Sequence, residues 1–172
     1  MELLSQIDDP VFVAADTMNC WIEKNKKELT ELLVKIDCLI INEDEARLLA
    51  GDGNLIKVSK AIIKMGPKAV IVKKGEYGSL LYTGNDELFV PPAYPAEEVV
   101  DPTGAGDSFA GGCLGYIAGQ DKFDFKTLRK AIIYGTAAAS FTISDFSIDA
   151  IKSVTKEQIE QRAEIIRQIT EF

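Results

Sequence analysis

A glycine-rich turn with a carboxylate near each end occupies residues 101–109, which read Asp101-Pro102-Thr103-Gly104-Ala105-Gly106-Asp107-Ser108-Phe109. An apolar, strand-like segment precedes this motif and a helical pattern follows it. The free N–H groups and the dipole at the start of a helix stabilise an anion. Because Gly104, Ala105 and Gly106 carry almost no side chain, a charged oxygen can approach their backbone closely. The turn therefore predicts an anion-binding site.

The carboxylate of Asp107 stands where this helix starts. A carboxylate beside an anion site is poorly suited to holding phosphate passively, but it suits a base that accepts the proton of a hydroxyl attacking the phosphate. An ordinary structural role explains the same residues, because Asp is a common N-cap and Asp-Pro and Gly-x-Gly are common turn formers. The motif alone leaves both interpretations open.

The composition indicates one soluble globular domain over residues 1–172. Apolar residues make up 47% of the chain and charged residues 27%, which is ordinary for such a domain. The net charge of −8 argues against a nucleic-acid partner, which would need a basic face. No apolar run approaches the roughly 20 residues of a membrane helix, and Met1 to Pro10 lack the basic start of a secretory signal. We expect a cytoplasmic protein.

Histidine is absent, which excludes Ser-His-Asp or Cys-His catalysis and histidine-ligated zinc. The three cysteines, Cys20, Cys38 and Cys113, stand singly in apolar surroundings and are expected to be free, buried thiols. Any anion site must therefore use local backbone geometry, carboxylates, amides or a metal.

Apolar runs and helical patterns alternate along the first part of the chain. Strands are predicted at 11–15, 38–41 and 69–72, and helices at 21–34, 43–50 and 55–65. This alternation is typical of an α/β fold with a mostly parallel sheet covered by helices. A hairpin at 79–82 and 88–91 and helices at 108–118, 125–142 and 155–169 complete the prediction, with a capping box of Thr155 and Gln158.

Polar residues follow several predicted strands, at the sheet edge where ligands collect in α/β proteins. They are Asp16-Thr17, the N-x-x-E pair Asn42 and Glu45, residues 73–78, and the glycine-rich motif. Asn42 and Glu45 suit either a helix capping box or an oxygen-ligated Mg²⁺. Lys73 or Lys74 suits either a phosphate contact or ordinary exposure. Neither a Walker A loop nor a G-x-G-x-x-G turn is present.

Taken in order, these motifs resemble the C-terminal part of the PfkB (ribokinase-like) carbohydrate kinase family. Residues 101–112 look like its second signature, and 42–45, 72–78 and the helical stretch 134–140 are similar to further family motifs in the same order. The resemblance covers nearly the whole chain. It implies a three-layer α/β/α fold with a mostly parallel central sheet, truncated on the N-terminal side.

The resemblance also implies transfer of the γ-phosphoryl group of ATP to a sugar or nucleoside hydroxyl. Each site residue receives its expected role by similarity to the family. Asp107 is the expected base and Gly104, Ala105 and Gly106 the expected anion hole. The nucleotide is expected at Lys73, Gly75, Gly78 and Ala138, Mg²⁺ at Asn42 and Glu45 through water, and a monovalent cation at Asp101 and Thr103.

Family members are usually near twice this length, and the portion lacking here carries most sugar contacts and a small β-sheet lid. Two alternatives to a kinase therefore stay open. The chain could be a non-catalytic ATP-binding or assembly module, or a fragment needing a partner chain, which an exposed apolar sheet edge would reveal. The expected partner is a small sugar or nucleoside, with no nucleic acid and no membrane, and a homodimer is compatible with the resemblance.

Overall fold

The computed structural model describes residues 4–171. The chain forms two compact units, one of Met1–Lys73 with Leu80–Leu88 and one of Lys74–Ser79 with Phe89–Phe172. The single domain expected over 1–172 stays a prediction. Among residues 4–171, no helix has both the length and the apolar character needed to cross a membrane.

The sheet has five strands in the sequential order β1-β2-β3-β4-β5. β1 and β2 pair in parallel, as do β2 and β3. The mixed, mostly parallel sheet confirms the predicted α/β class. The strands are β1 (Ala14–Asp16), β2 (Cys38–Asn42), β3 (Ala69–Lys73), β4 (Ser79–Thr83) and β5 (Leu88–Phe89).

Four helices belong to the first unit: α1 (Asn19–Lys24), α2 (Lys26–Leu33), α3 (Glu43–Ala50) and α4 (Leu55–Lys64). The sequence predicted one helix over 21–34, but α1 ends and α2 begins around Asn25. Asn25 has φ −129° and ψ 36°, outside the helical region. Asn gives up helical geometry readily because its side chain competes for backbone hydrogen bonds, so one predicted helix becomes two.

The core of the first unit is built on β2 and β3. Residues 38–41 and 69–72 are all buried, as expected for strands covered on both faces. The parallel register ends with Asn42 opposite Lys73. The buried part of the sheet thus ends in two polar residues, Asn42 and Lys73, that lie side by side at its carboxyl edge.

The second unit contains α5 (Ala105–Ile117), α6 (Phe125–Thr142) and α7 (Lys156–Gln168). α5 and α6 pack very closely, since a Cβ on Gly112 would lie 2.9 Å from the Cα of Gly135. α5 begins at Ala105, earlier than the predicted Ser108, so Asp107 is its third residue. The capping box of Thr155 and Gln158 at the start of α7 is confirmed.

Candidate active site

In the first unit, the last residue of each of the strands β1, β2 and β3 is polar: Asp16, Asn42 and Lys73. The Nζ of Lys73 lies 2.6 Å from Oδ2 of Asp16, and both side chains are largely shielded from solvent. Asp16 also accepts the N–H of Thr17 through Oδ1, at 2.8 Å. Lys73, expected at a phosphate, is therefore held by a carboxylate at the carboxyl edge of the sheet.

Asn42 and Glu45 form the capping box of α3. The Asn42 Oδ1 accepts the N–H of Glu45 at 2.8 Å, and Glu45 Oε2 accepts the N–H of Asn42 at 3.3 Å. The structural interpretation of N-x-x-E is thus confirmed. It leaves the metal role open, because the Glu45 carboxylate has a second oxygen, Oε1, beside the Oε2 that accepts the Asn42 N–H.

Glu45 is buried, with 6% of its surface exposed. Burial raises the pKa of Glu45 above its usual range. The hydrogen bond from the Asn42 N–H lowers this pKa, the negative charge of Asp16 raises it, and the positive charge of Lys73 lowers it. Glu45 therefore lies in the electrostatic field of the Asp16–Lys73 pair.

The oxygen donors of this cluster fit a hydrated Mg²⁺ better than a metal bound directly by the protein. Among residues 4–171, no three His, Cys, Asp or Glu side chains are placed to hold a metal together. The cluster offers carboxylates and an amide oxygen, and Mg²⁺ commonly keeps several waters beside one or two carboxylates. Thr17 adds a buried hydroxyl that has no partner in the described chain. Asn42 and Glu45 stay the predicted metal residues.

The glycine-rich motif forms an uncapped helix start in the second unit. Gly104 is the N-cap of α5, with φ 79° and ψ −1°, a left-handed conformation that favours glycine. The N–H of Ala105 donates to the carbonyl of Pro102 at 3.2 Å. Within residues 4–171, the N–H groups of Gly104, Gly106 and Asp107 have no acceptor, and no side chain caps the helix. Three free amides thus surround the start of α5.

Asp107 lies on the first turn of α5 and is exposed. It makes no capping hydrogen bond, so the N-cap explanation does not apply to it. The other carboxylate of the motif has a structural partner, since Asp101 Oδ1 accepts the N–H of Thr103 at 2.9 Å. This N–H lowers the pKa of Asp101, with further help from the Thr103 side chain and the N–H of Ser147.

The loop after β3 also contains the predicted nucleotide residues Gly75 and Gly78. Lys74 N–H donates to the carbonyl of Gly78 at 2.8 Å, which closes the loop. Gly78 has φ 83°, and a Cβ there would lie 2.2 Å from the carbonyl oxygen of Pro91. Only glycine therefore fits at 78, whereas Gly75 is exposed with open space around it.

Ala138 is buried on α6, with its Cβ toward Gly112 of α5. This position gives it a packing role, and its nucleotide contact stays a prediction. Asp16 was predicted to lie at a strand end, with no role assigned to it. The amide of Asp107 was missed because the predicted helix began at Ser108, three residues after the observed start of α5 at Ala105.

Residues 2–153 match the family described as pfkB family carbohydrate kinase. A bifunctional ribokinase/ribose-5-phosphate isomerase A of Fructilactobacillus sanfranciscensis is 38% identical over 123 residues, covering 68% of this chain and 22% of that protein.

Two solved structures share the fold. Aminoimidazole riboside kinase from Salmonella enterica, complexed with aminoimidazole riboside and an ATP analog, has a TM-score of 0.74 at 25% identity, covering 88% of this chain and 52% of that one. An E. coli protein described as a ribokinase II, in complex with ATP and Mg²⁺, has a TM-score of 0.66 at 26% identity, covering 87% and 45%.

The chain thus spans about half the length of these solved structures, 52% and 45%. The family match covers most of the chain, and the sheet is mixed and mostly parallel, as the resemblance implied. The chain belongs to the pfkB family of carbohydrate kinases.

Proposed function

We propose that this chain contains the phosphoryl-transfer part of an ATP-dependent kinase acting on a sugar or nucleoside hydroxyl. The similar proteins described above are named as kinases of ribose and of a riboside. The acceptor is therefore expected to be a small polyol, and the protein is expected to act in the cytoplasm. A homodimer is compatible with this role.

The observation that carries the proposal is the uncapped first turn of α5 with Asp107 exposed on it. Free amides in a fixed turn stabilise the charge that spreads over a transferring phosphoryl group. Gly104, Gly106 and Asp107 present such amides, and Ala105 lies between them without a bulky side chain. This is the predicted anion hole, with the amide of Asp107 added to it.

In the proposed reaction, Asp107 takes the proton of the acceptor hydroxyl as the acceptor oxygen bonds to the γ-phosphorus. The bond from that phosphorus to the bridging oxygen breaks, so that ADP leaves. A carboxylate is a strong enough base for this step if the hydroxyl loses its proton late in the reaction. The base and the anion hole are thus parts of one helix turn.

The remaining residues are assigned by the family's motif order. Asn42 and Glu45 would hold the waters of a Mg²⁺ ion, which would supply positive charge against the phosphates. Lys73 is kept in place by Asp16 and supplies positive charge near the nucleotide. Further nucleotide contacts are assigned to Gly75, Gly78 and Ala138, and a monovalent cation to Asp101 and Thr103.

Nucleotide binding is tested by the melting temperature of the chain with and without ATP–Mg²⁺. A ligand that binds only the folded state stabilises it by about 2.7 kcal/mol at roughly a hundredfold excess over Kd. For a chain of this size the expected rise is about 5–10 °C. No rise at saturating nucleotide would remove the site. ATP consumption with a panel of sugars and nucleosides, assayed with this chain and an N-terminally extended form, then tests for transfer and identifies the acceptor.

One observation favours the alternative of a fragment needing a partner chain. Within residues 4–171, β1 is an edge strand, and large apolar side chains close to it in sequence are exposed, including Val11 at 79% and Trp21 at 50%. An open edge with apolar surroundings favours pairing with another strand. If ATP–Mg²⁺ stabilises the chain but no acceptor is phosphorylated, the partner-dependent or non-catalytic alternative is supported.

A further inference from the structure

The segment 142–147, which begins at the last residue of α6, contacts the irregular segment that precedes the glycine-rich motif. The carbonyl of Ile143 accepts the N–H of Val100 at 2.8 Å. The N–H of Ser147 donates to Oδ2 of Asp101 at 3.3 Å. The entry to the motif is therefore tied to residues more than 40 positions later in the chain.

The same segment also contacts the first turn of α5. Thr142 Oγ1 donates a hydrogen bond to Oγ of Ser108 at 2.7 Å. Thr142 is 1% exposed, so its hydroxyl is shielded from water. A Cβ on Gly104 would lie 3.9 Å from Cγ2 of Thr142, so the methyl group of this threonine faces the N-cap of α5. The buried Thr142 side chain thus lies beside both Gly104 and Ser108, the two ends of this turn.

This turn needs an anchor because it has no side-chain cap. Among residues 4–171, the N–H groups of Gly104, Gly106 and Asp107 have no acceptor. The carbonyl of the N-cap Gly104 accepts the N–H of Ser108 at 2.9 Å. Uncapped helix ends fray, since few hydrogen bonds hold them. Fraying would move the Asp107 carboxylate and the free amides together.

We propose that Thr142 is a positioning residue, which fixes the first turn of α5 through Ser108 and so aligns Asp107 and the free amides. The inference rests on the proposed function for its catalytic meaning. The hydrogen bond is independent of that function, because it links two side chains of the protein and requires no ligand.

The test compares Thr142→Val, which keeps the shape but removes the hydroxyl, with Thr142→Ser, which keeps the hydroxyl. Ser108→Ala removes the acceptor of the same hydrogen bond. This variant is used instead of Thr142→Val if Thr142→Val does not fold. Ser59→Ala is the matched control, since among residues 4–171 the buried Ser59 hydroxyl bonds only the Leu55 carbonyl of its own helix, at 2.8 Å.

Two quantities are measured on the full chain: the hydrogen-exchange rate of the Ser108 amide by NMR, and the Kd for ATP–Mg²⁺. Loss of one hydrogen bond changes a local equilibrium by about three- to tenfold. Thr142→Val is expected to raise both quantities by about that factor, whereas Thr142→Ser and Ser59→Ala stay near wild type.

Wild-type exchange of the amide at position 108 in both Thr142→Val and Ser108→Ala would overturn the proposal. Exchange in Thr142→Ser as fast as in Thr142→Val would overturn it too. Faster exchange with an unchanged Kd would show that Thr142 fixes the turn without affecting the binding of ATP–Mg²⁺. This result would also overturn the positioning role. Failure of the wild-type chain to bind ATP–Mg²⁺ would instead refute the proposed function, while the exchange rates still decide whether Thr142 fixes the turn.

Discussion

Lys73 at the end of β3 reaches past the end of β2 to Asp16 at the end of β1, with 2.6 Å between Nζ and Oδ2. The ion pair spans three parallel strands at their carboxyl edge. It also lies close enough to Glu45 for both charges to act on the pKa of that carboxyl. Lys73 is thus the local counter-charge for two carboxylates.

Removing this counter-charge is expected to destabilise the chain. Lys73→Met leaves Asp16 and Glu45 without a cation in a shielded place, which we expect to cost about 1–2 kcal/mol. Asp16→Asn should cost about 1 kcal/mol, and the double variant should show a coupling energy of about 1 kcal/mol. Urea unfolding at pH 7 measures these values.

The matched control for this pair is Lys74→Met. Within residues 4–171, Lys74 has no carboxylate at ion-pair distance, so its replacement should change the unfolding free energy by less than about 0.5 kcal/mol. Strictly additive losses for Asp16 and Lys73 would show that the ion pair contributes nothing.

The proposed role of Asp107 as base is tested by Asp107→Asn. The amide keeps the size of the side chain but cannot accept the proton, so phosphoryl transfer to an identified acceptor should fall by at least about a hundredfold. Because the backbone amides are unchanged, the Kd for ATP–Mg²⁺ should stay within about threefold of wild type. Enzyme assays and calorimetry measure the two effects, and wild-type turnover in this variant would remove Asp107 as base.

Glu45→Gln separates the structural role of Glu45 from its proposed metal role. Glutamine still offers an oxygen to the Asn42 N–H, so the capping box and the unfolding free energy should be preserved within about 0.5 kcal/mol. The charge that would hold the waters of Mg²⁺ is lost. The Mg²⁺ concentration needed for half of the ATP-dependent melting shift should therefore rise about tenfold to a hundredfold.

Asp44→Asn provides the control for Glu45, because Asp44 is an exposed carboxylate on the same first turn of α3. Its replacement should leave the Mg²⁺ requirement unchanged. If Glu45→Gln and Asp44→Asn behave alike, Glu45 is a capping residue and nothing more.

The sequence predicted the elements whose signals are local. β2 and β3 are continuous apolar runs, and α3 has its capping box within four residues, so their positions follow from neighbouring side chains. The break at Asn25 was missed because the charged pattern on both sides of it is helical. The early start of α5 was missed because it depends on the left-handed conformation of Gly104.

Contacts between distant residues could not be predicted in this way. Lys73 and Asp16 are 57 positions apart and Thr142 and Ser108 are 34 apart, so each pair is formed by tertiary packing. The motif order predicted which residues belong to the candidate site, and that assignment stays a prediction. The partners that hold those residues became visible only in the structure.

Asp37 links the amino ends of three strands, and its charge predicts how the stability of the fold depends on pH. Its Oδ2 accepts the N–H of Val13 at 2.9 Å, and its Oδ1 lies 2.7 Å from Nζ of Lys68. Partial burial raises the pKa of Asp37, but the Lys68 ammonium and the Val13 N–H outweigh this and leave it below its usual range. The native state therefore favours the ionised form.

A carboxyl with a lowered native pKa stabilises the fold above its unfolded pKa of about 3.9, and this stability is lost as the pH falls through the native pKa. Wild type should thus lose more unfolding free energy between pH 5 and pH 3 than Asp37→Asn. At pH 7 the variant should be less stable by about 0.5–1.5 kcal/mol. Lys68→Ala should cost at most about 1 kcal/mol, because Lys68 is 83% exposed. Urea midpoints at pH 7, 5, 4 and 3 measure this, and equal acid slopes for wild type and Asp37→Asn would contradict the assigned role of Asp37.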